Sequence, residues 1–465
     1  MAGKWPCKRV EEIALKVAMG PFGSSIKVET FTDAGIPIIS GQHLREAELT
    51  DSEFNFIAEE HADSLKNANV QRGDVIFTHA GNIGQVAFIP NDSKYQRYVI
   101  SQRQFYLRCD TSLILPEFIT YYFKSSEGRH KLLANANQVG VPSIARPSSY
   151  LKTIEVPVPS IEEQQIVVRN IKALDAKIRA NRRINQTLEA VAQAIFKSWF
   201  VDFDPIKAKI TAIEQGEDPL RAAMRAISGK IDAELDQMPR EHHDQLAATA
   251  ALFPDEMQES ELGEIPMGWK AGTLTEICQL NPESWNARTL PGAVRYVDLA
   301  NTKGGEITGV QNIGGTEIPS RARRIVRYGD TIVGTVRPGN RSFALVSEAG
   351  LTGSTGFAAL RPKGPHWLEF VYLVATSESN IERLAHLADG GAYPAVRPEM
   401  VVQNNVVLPT HLVAQAFNQS VQPLFSKIIA NRKSAILLAE LRDTLIPKLL
   451  SGDVSVETLT DQVEQ

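Results

Sequence analysis

At 465 residues, with 43% hydrophobic and 22% charged side chains, the chain has the length for two cores and the composition of a globular protein. Residues 1–15 carry scattered charge without an apolar stretch, and no run approaches the roughly 18 apolar residues of a membrane span, so neither a signal peptide nor a transmembrane segment is expected. The formal charge of −5 is uneven: residues 201–264 hold fifteen acids and six bases, leaving the remainder net basic, and phosphate affinity follows local basic surface more than total charge.

Taken in chain order, residues 1–158 consist of short β-branched runs broken by Gly, Pro, Asn and Asp. Examples are Ile36-Pro37-Ile38-Ile39 and Asp74-Val75-Ile76-Phe77, which read as strands and turns. Three polar loops follow such runs: Ser40-Gly41-Gln42-His43, Thr78-His79-Ala80-Gly81-Asn82 and Ser101-Gln102-Arg103-Gln104. Residues 159–200 change to helical period, with no Pro or Gly from 161 to 200 and a capping box at Ser160 and Glu163. Counting sevens places Ile171, Leu174, Ile178, Asn181, Asn185, Leu188, Ala192, Ile195 and Trp199 on one seam.

Residues 201–266 read as an acidic, partly helical connector, and residues 267–408 return to strands and turns. There Arg321, Arg323, Arg324, Arg327, Arg337 and Arg341 accompany a single acid, Asp330. Residues 409–450 form a second helical stretch, whose seam holds Val421, Leu424, Ile428, Asn431, Ala435, Leu438, Arg442, Leu445 and Leu449. Asn181 and Asn431 occupy the same seam position, where polar residues set register, so the two helices are expected to pair with each other. Residues 451–465 form an acidic tail.

The second half repeats the first. Trp5, Val10, Glu12 and Ile13 return as Trp269, Leu274, Glu276 and Ile277. Gly73-Asp74-Val75-Ile76 returns as Gly329-Asp330-Thr331-Ile332, and Val141-Pro142-Ser143-Ile144 as Tyr393-Pro394-Ala395-Val396. Ile178-Arg179-Ala180-Asn181 matches Ile428-Ile429-Ala430-Asn431. The order is kept, and the offset shrinks along the chain, as it must if loops differ between the copies.

Two variable globular regions, each ending in a long helix, resemble the specificity subunits of type I restriction-modification systems. The resemblance spans essentially the whole chain and is most specific at GPFGSS (20–25), GDVIFTHAGNIG (73–84), VPVPSIEEQQ (156–165) and IPKLLSG (446–452). It implies an α+β chain: two mixed α/β target recognition domains, with the helices paired as an antiparallel coiled coil. It also implies a bipartite double-stranded DNA site, two methyltransferase subunits and motor-nuclease subunits, with S-adenosylmethionine, ATP and Mg²⁺ on those partners and no cofactor in this chain. The second copy departs from the pattern: Gly334-Thr335-Val336-Arg337-Pro338-Gly339-Asn340 replaces the Thr-x-x-Gly loop, and no GPFGSS turn appears.

Within that reading Ser40, Gln42, His43, Thr78, His79, Asn82, Gln102, Arg103 and Gln104 are the DNA-contact candidates of the first domain. Gln and Arg can engage adenine and guanine edges bidentately, although solvated turns account for the same polar triplets. In the second domain Arg321, Arg323, Arg324, Arg337 and Arg341 suit phosphate, and Ser354 and Thr355 are base-contact candidates. Helix pairing is assigned to Ile171, Leu174, Ile178, Asn181 and Leu188 against Leu424, Ile428, Asn431, Leu438 and Leu445.

No catalytic or metal site is expected. Asn281-Pro282-Glu283-Ser284 and Asp202-Phe203-Asp204-Pro205 both fail the Asn/Asp-Pro-Pro-aromatic pattern of an amino-methyltransferase. The Gly-Lys pairs at Gly3-Lys4 and Gly229-Lys230 lack a phosphate loop. His242 and His243 are adjacent and cannot share a helix face, and Cys7, Cys109 and Cys278 make no CxxC spacing, which fits a reduced cytoplasmic setting. Two other readings fit the same sequence: the recognition subunit of a methyltransferase-nuclease system without a separate motor, and a protein-interaction scaffold.

Overall fold

A computed structural model of the chain describes residues 5–23, 25–137, 140–391 and 393–451. Ser24 of the GPFGSS turn, Gly452 of IPKLLSG and the remainder of the acidic tail lie outside the described residues. The chain divides into two compact units, Met1–Asn181 with Lys433–Gln465, and Arg182–Arg432. This division crosses both long helices, so each unit owns one half of each.

The first unit contains two four-stranded sheets. One has the order Ala14–Met19, Gln104–Cys109, Asp74–Thr78, Val86–Phe88, antiparallel throughout. The other has the order Asn55–Ile57, Ile36–Ile39, Arg97–Ile100, Asn69–Gln71, with Ile36–Ile39 parallel to Arg97–Ile100. The two-residue period of a strand sends alternate side chains to opposite faces. Thus Ile76, Ala87 and Tyr106 pack with Ile38, Tyr98 and Ile100 of the second sheet. Val75, Phe77 and Phe105 instead join Phe118 and Ile119 of the helix Pro116–Lys124 in a second core, completed by Ile171, Ile446 and Leu449 of the long helices.

The second unit repeats this plan strand for strand. One sheet has the order Cys278–Leu280, Phe357–Pro362, Thr331–Gly334, Phe343–Leu345, and the other Gln311–Gly314, Ala293–Val297, Leu351–Ser354, Ala322–Val326. The parallel pair returns as Ala293–Val297 with Leu351–Ser354. The antiparallel pairing of each domain's first strand with its last recurs as well, Cys7–Arg9 with Glu155–Pro157 and Lys270–Thr273 with Asn405–Leu408.

One buried ion pair marks the repeat inside each core. Asp74, 1% exposed, accepts two bonds of 2.7 Å from Arg108 and one of 2.9 Å from the Gln71 N–H. Asp330, also 1% exposed, accepts bonds of 2.9 and 2.8 Å from Arg361 and one of 2.8 Å from the Arg327 N–H. Each aspartate closes the turn before its own strand and neutralises a cation from the neighbouring strand, which satisfies a buried carboxylate from both sides.

The long helices are Ile161–Phe200 and His411–Ser451, the latter continuing through Pro423 and Pro447. The capping box forms: the Ser160 N–H donates to Glu163 Oε2 at 2.9 Å and the Glu163 N–H to Ser160 Oγ at 3.3 Å. In each unit the two helix halves run antiparallel. In the first, Asn181 Nδ2 donates to Ser434 Oγ at 3.3 Å and Arg442 Nη1 to Asp175 Oδ1 at 2.7 Å. In the second, Asn431 Nδ2 donates to Asn185 Oδ1 at 2.9 Å, and Asn185 Nδ2 to the Ile428 carbonyl at 3.3 Å. At equivalent seam places, Asn181 thus meets a serine and Asn431 an asparagine. Ile178 is buried, Leu174, Leu438 and Leu445 are half-buried, and Leu188 and Leu424 pack on the core that holds Ile428.

The acidic connector belongs to the second unit. It forms four helices, Asp204–Gln215, Pro219–Ser228, Asp232–Asp236 and Arg240–Ala251, the last three of which gather a small core of Ala223, Met224, Leu235 and Ala250. Phe203, Ile206 and Phe253 enter the main core beside Trp199 and Trp269.

Candidate nucleic-acid interface

Strand direction decides where the polar loops meet. Ile36–Ile39 and Arg97–Ile100 are parallel, so Ser40 and Ser101 leave them at the same end, where the Ser101 N–H donates to the Ile39 carbonyl at 3.0 Å. Thr78 lies opposite Gln104 at the end of its strand, which brings the loop after Thr78 beside residues 101–104. The His79 N–H donates to the Arg103 carbonyl (2.9 Å), the Gly81 N–H to the Pro142 carbonyl (2.9 Å) and the Ile144 N–H to the His79 carbonyl (2.8 Å). Gly20 joins them with its N–H on the Gln104 carbonyl at 2.9 Å, and a Cβ there would collide with the Ser101 carbonyl, so only glycine fits.

The second domain builds the same end from different residues. The Thr335 N–H donates to the Gly356 carbonyl (2.8 Å), the Arg337 N–H to the Pro394 carbonyl (2.7 Å) and the Val396 N–H to the Thr335 carbonyl (2.9 Å). A cleft of about 510 Å³ opens there, lined among others by Asp298, Arg321, Arg337, Asn340, Thr355 and Tyr393. The Arg337 guanidinium lies 4.7 Å from the ring centre of Tyr393, which is 73% exposed.

The structure thus gathers the candidate loops at one end of each domain, but it sorts their side chains. Gln42, Asn82, Gln102 and Arg103 are exposed in the first domain, as are Arg321, Arg337, Arg341 and Thr355 in the second. Ser40, His79, Arg323 and Arg324 are half-buried.

Three candidates are corrected. His43, Thr78 and Gln104 are buried and present no group to a groove, whereas Ser354, also buried, lines the cleft of the second domain. His43 Nδ1 accepts the Ser40 N–H at 2.9 Å and Nε2 lies 3.2 Å from the Glu53 carbonyl, so the ring is neutral with its proton on Nε2. It stacks on Phe54, and burial pushes its pKa below the ordinary value. Thr78 hydrogen-bonds Gln85 at 3.4 Å, Gln104 receives the Ser101 hydroxyl, and Ser354 Oγ accepts the Gly356 N–H at 3.2 Å. His43, Thr78 and Gln104 shape the loops from beneath.

Arg341 is committed to Glu378, and Arg327 to Glu283 at 2.6 Å, which removes both from a simple basic patch. Burial works against the charge of Arg324, whose Nη1 donates to Ser284 Oγ at 3.3 Å. Burial lowers the His79 pKa and outweighs the Gln102 carbonyl, 3.1 Å from Nε2, which favours the protonated ring. Sequence reasoning used Tyr393 only as a repeat marker. Its position as an exposed aromatic before proline is the signal that places it in the site.

Among the described residues no cluster of three His, Cys, Asp or Glu is placed to hold a metal, and no helix is long and apolar enough to cross a membrane. The buried Cys278 thiol is pushed up to about 12 by desolvation, far from nucleophilic form.

One mixed α/β domain occurring twice, each copy presenting different side chains on the same loop frame and packing on an antiparallel helix pair, defines a tandem recognition protein. Residues 5–190 match the type I restriction modification DNA specificity domain. The chain is 30% identical over 417 residues to the type I restriction enzyme HindI specificity subunit of Haemophilus influenzae, covering 83% of this chain and 87% of that protein. It is 23% identical over 478 residues to the MjaIX specificity subunit of Methanocaldococcus jannaschii, covering 98% and 94%. A crystal structure of the type I restriction-modification S subunit from M. genitalium aligns over 96% of both chains with 14% identity and a TM-score of 0.48. The chain belongs to the family of type I restriction enzyme specificity subunits.

Proposed function

We propose that this chain is the sequence-reading, non-catalytic subunit of a type I restriction-modification enzyme, and that each domain reads one half of a bipartite, asymmetric site on double-stranded DNA. The observation that carries this is the pairing of one repeated loop frame, held by backbone hydrogen bonds, with different exposed side chains in each copy. Gln42, Asn82, Gln102 and Arg103 on one frame, and Arg321, Arg337 and Thr355 on the other, are donors and acceptors of the kind that read base edges and phosphates. Unlike frames of side chains predict unlike half-sites.

Two methyltransferase subunits and the motor-nuclease subunits complete the enzyme. The exposed Ile184, Val191, Ile436, Leu437 and Leu441 on the long helices supply apolar surface for docking. S-adenosylmethionine, ATP and Mg²⁺ belong to those partners, this chain carries no cofactor, and the assembly works in the cytoplasm. The test is reconstitution. The purified chain alone should methylate and cleave nothing, and adding methyltransferase subunits with S-adenosylmethionine should give methylation at one defined site. Methyl transfer by the rigorously purified single chain would overturn this assignment.

A further inference from the structure

The two domains bring an arginine to the same point of the loop frame by opposite routes. In the first domain the position after Ala80 is Gly81, at φ +84°, and a Cβ added there would stand 3.4 Å from Arg103 Nη1. The backbone bonds fix the correspondence: His79 to Arg103 matches Thr335 to Gly356, and Gly81 to Pro142 matches Arg337 to Pro394. Arginine and glycine have therefore exchanged places. Where the first domain has Gly81 beside Arg103, the second has Arg337 and Gly356 at the matching positions, both lining the same cleft.

Arg337 holds φ +48°, a left-handed conformation that L side chains rarely adopt and that glycine would adopt without strain. An arginine kept at such a position points to a use for its side chain. Its guanidinium carbon lies 4.7 Å from the centre of the exposed Tyr393 ring, and Arg321, Asn340 and Thr355 line the cleft beside it. Contact with the ring restricts the orientations open to the fork. A phosphate needs only positive charge, whereas the O6 and N7 of guanine need a planar donor pair in a set orientation.

We propose that Arg337 reads a guanine edge in the half-site bound by the second domain, and that Arg103 performs the same task in the first. This inference rests on the DNA-reading function proposed above. It assigns specificity to one named side chain per domain.

The decisive variant is Arg337→Gly, because it installs the residue that the first domain already uses at this place. The loop is relieved of strain, so the thermal midpoint should be unchanged or higher. In complex with the methyltransferase subunits, the variant's affinity for the wild-type site should fall on the order of tenfold to a hundredfold. Methylome sequencing of a strain carrying the variant system should show one relaxed position in one half-site and the other half-site unchanged. Arg337→Lys keeps the charge but loses the fork and should relax the same position. Tyr393→Leu frees the guanidinium plane and should relax it partly, and Arg103→Gly should relax a position in the opposite half. Uniform weakening on every duplex, with a salt dependence lower by about one counterion and no relaxed position, would make Arg337 a phosphate contact and overturn the inference. A wild-type complex that prefers no sequence would instead overturn the DNA-reading function itself.

Discussion

The strands opened by Asp74 and by Asp330 are built alike and end differently. Each begins at a glycine with φ +86°, closes its turn with the aspartate carboxylate and buries that aspartate against an arginine of the next strand. Five residues further on, the first runs into His79, Gly81 and Asn82 and the second into Thr335, Arg337 and Asn340. The loops nevertheless keep the same backbone bonds to the same neighbouring segments. The frame is held by main-chain groups, which every residue type supplies, so side chains on it can change without loss of the fold. The Asp–Arg pair has no such freedom, because removing the arginine strands a carboxylate that is 1% exposed.

The widest test of this division is exchange of residues 267–408 for the second domain of another family member. One half of the methylated site should change completely and the other not at all, as read by methylome sequencing. A hybrid altered in both halves would break the independence of the two frames.

Next in size are the buried pairs, which also separate the domains. Among the described residues Arg108 forms an ion pair with Asp74 alone, whereas Arg361 is shared between Asp330 and Glu283. Asp74→Asn should destabilise the first unit toward the lower end of about 3–5 kcal/mol, since the Arg108 side chain keeps 28% of its exposure. Asp330→Asn should cost the second unit less, because Glu283 remains. Urea-dependent hydrogen exchange over residues 74–78 and 331–334 reads the two separately, and equal losses would contradict the role given to Glu283.

In the helix seam, Asn431→Ala leaves Asn185 Oδ1 without its donor in a buried setting and should cost about 1–3 kcal/mol. Replacing Asn185 and Asn431 together by leucine should recover much of that loss. A double-mutant cycle with no coupling would remove the pair from the seam's energetics.

The smallest expected effect concerns pH. His43 and His79 are held neutral with pKa values below the ordinary 6.5, chiefly by burial. In the second domain Thr335 stands in place of His79, and residues 299–302, which follow the parallel strand, carry no titratable side chain. As pH falls below about 6.5, the unfolded chain takes up protons that the folded loops refuse, so stability declines with falling pH through that window. Hydrogen-exchange protection factors, corrected for the intrinsic slowing of exchange in acid, should therefore fall in residues 40–44 and 79–84 on acidification, and not in 299–302 and 335–341. An equal fall in both would exclude the imidazoles as its source.

Much of this architecture was legible in the residues. The seven-residue seam found both long helices, and four ordered matches found the repeat, because periodic burial and shared turns leave direct traces in sequence. The sorting of the loops was not legible. His43, Thr78 and Gln104 are polar and sit at strand ends, which is also the signature of an exposed loop. Only the three-dimensional arrangement shows that their bonds turn inward. The arginine patch divided for a similar reason: Glu283 lies 44 positions from Arg327 and Glu378 lies 37 from Arg341. The exchange between Gly81 and Arg337 needed the backbone bonds to fix which residue stands where.

The first unit is assembled from two separated stretches of chain, and this bears on how the protein is made. Ile446, Leu449 and Leu450 sit in the core with Val10, Phe77 and Ile171, and the Trp5 indole donates to the Leu449 carbonyl at 3.3 Å. Those core positions leave the ribosome only after all of residues 182–432. A nascent chain therefore carries its first domain with an open apolar flank until synthesis reaches the second helix, while the second domain has its whole complement beforehand. Folding completes in the reverse of translation order for that core, in contrast to the usual N-terminal-first sequence. A premature stop within the last helix would thus injure the domain synthesised first.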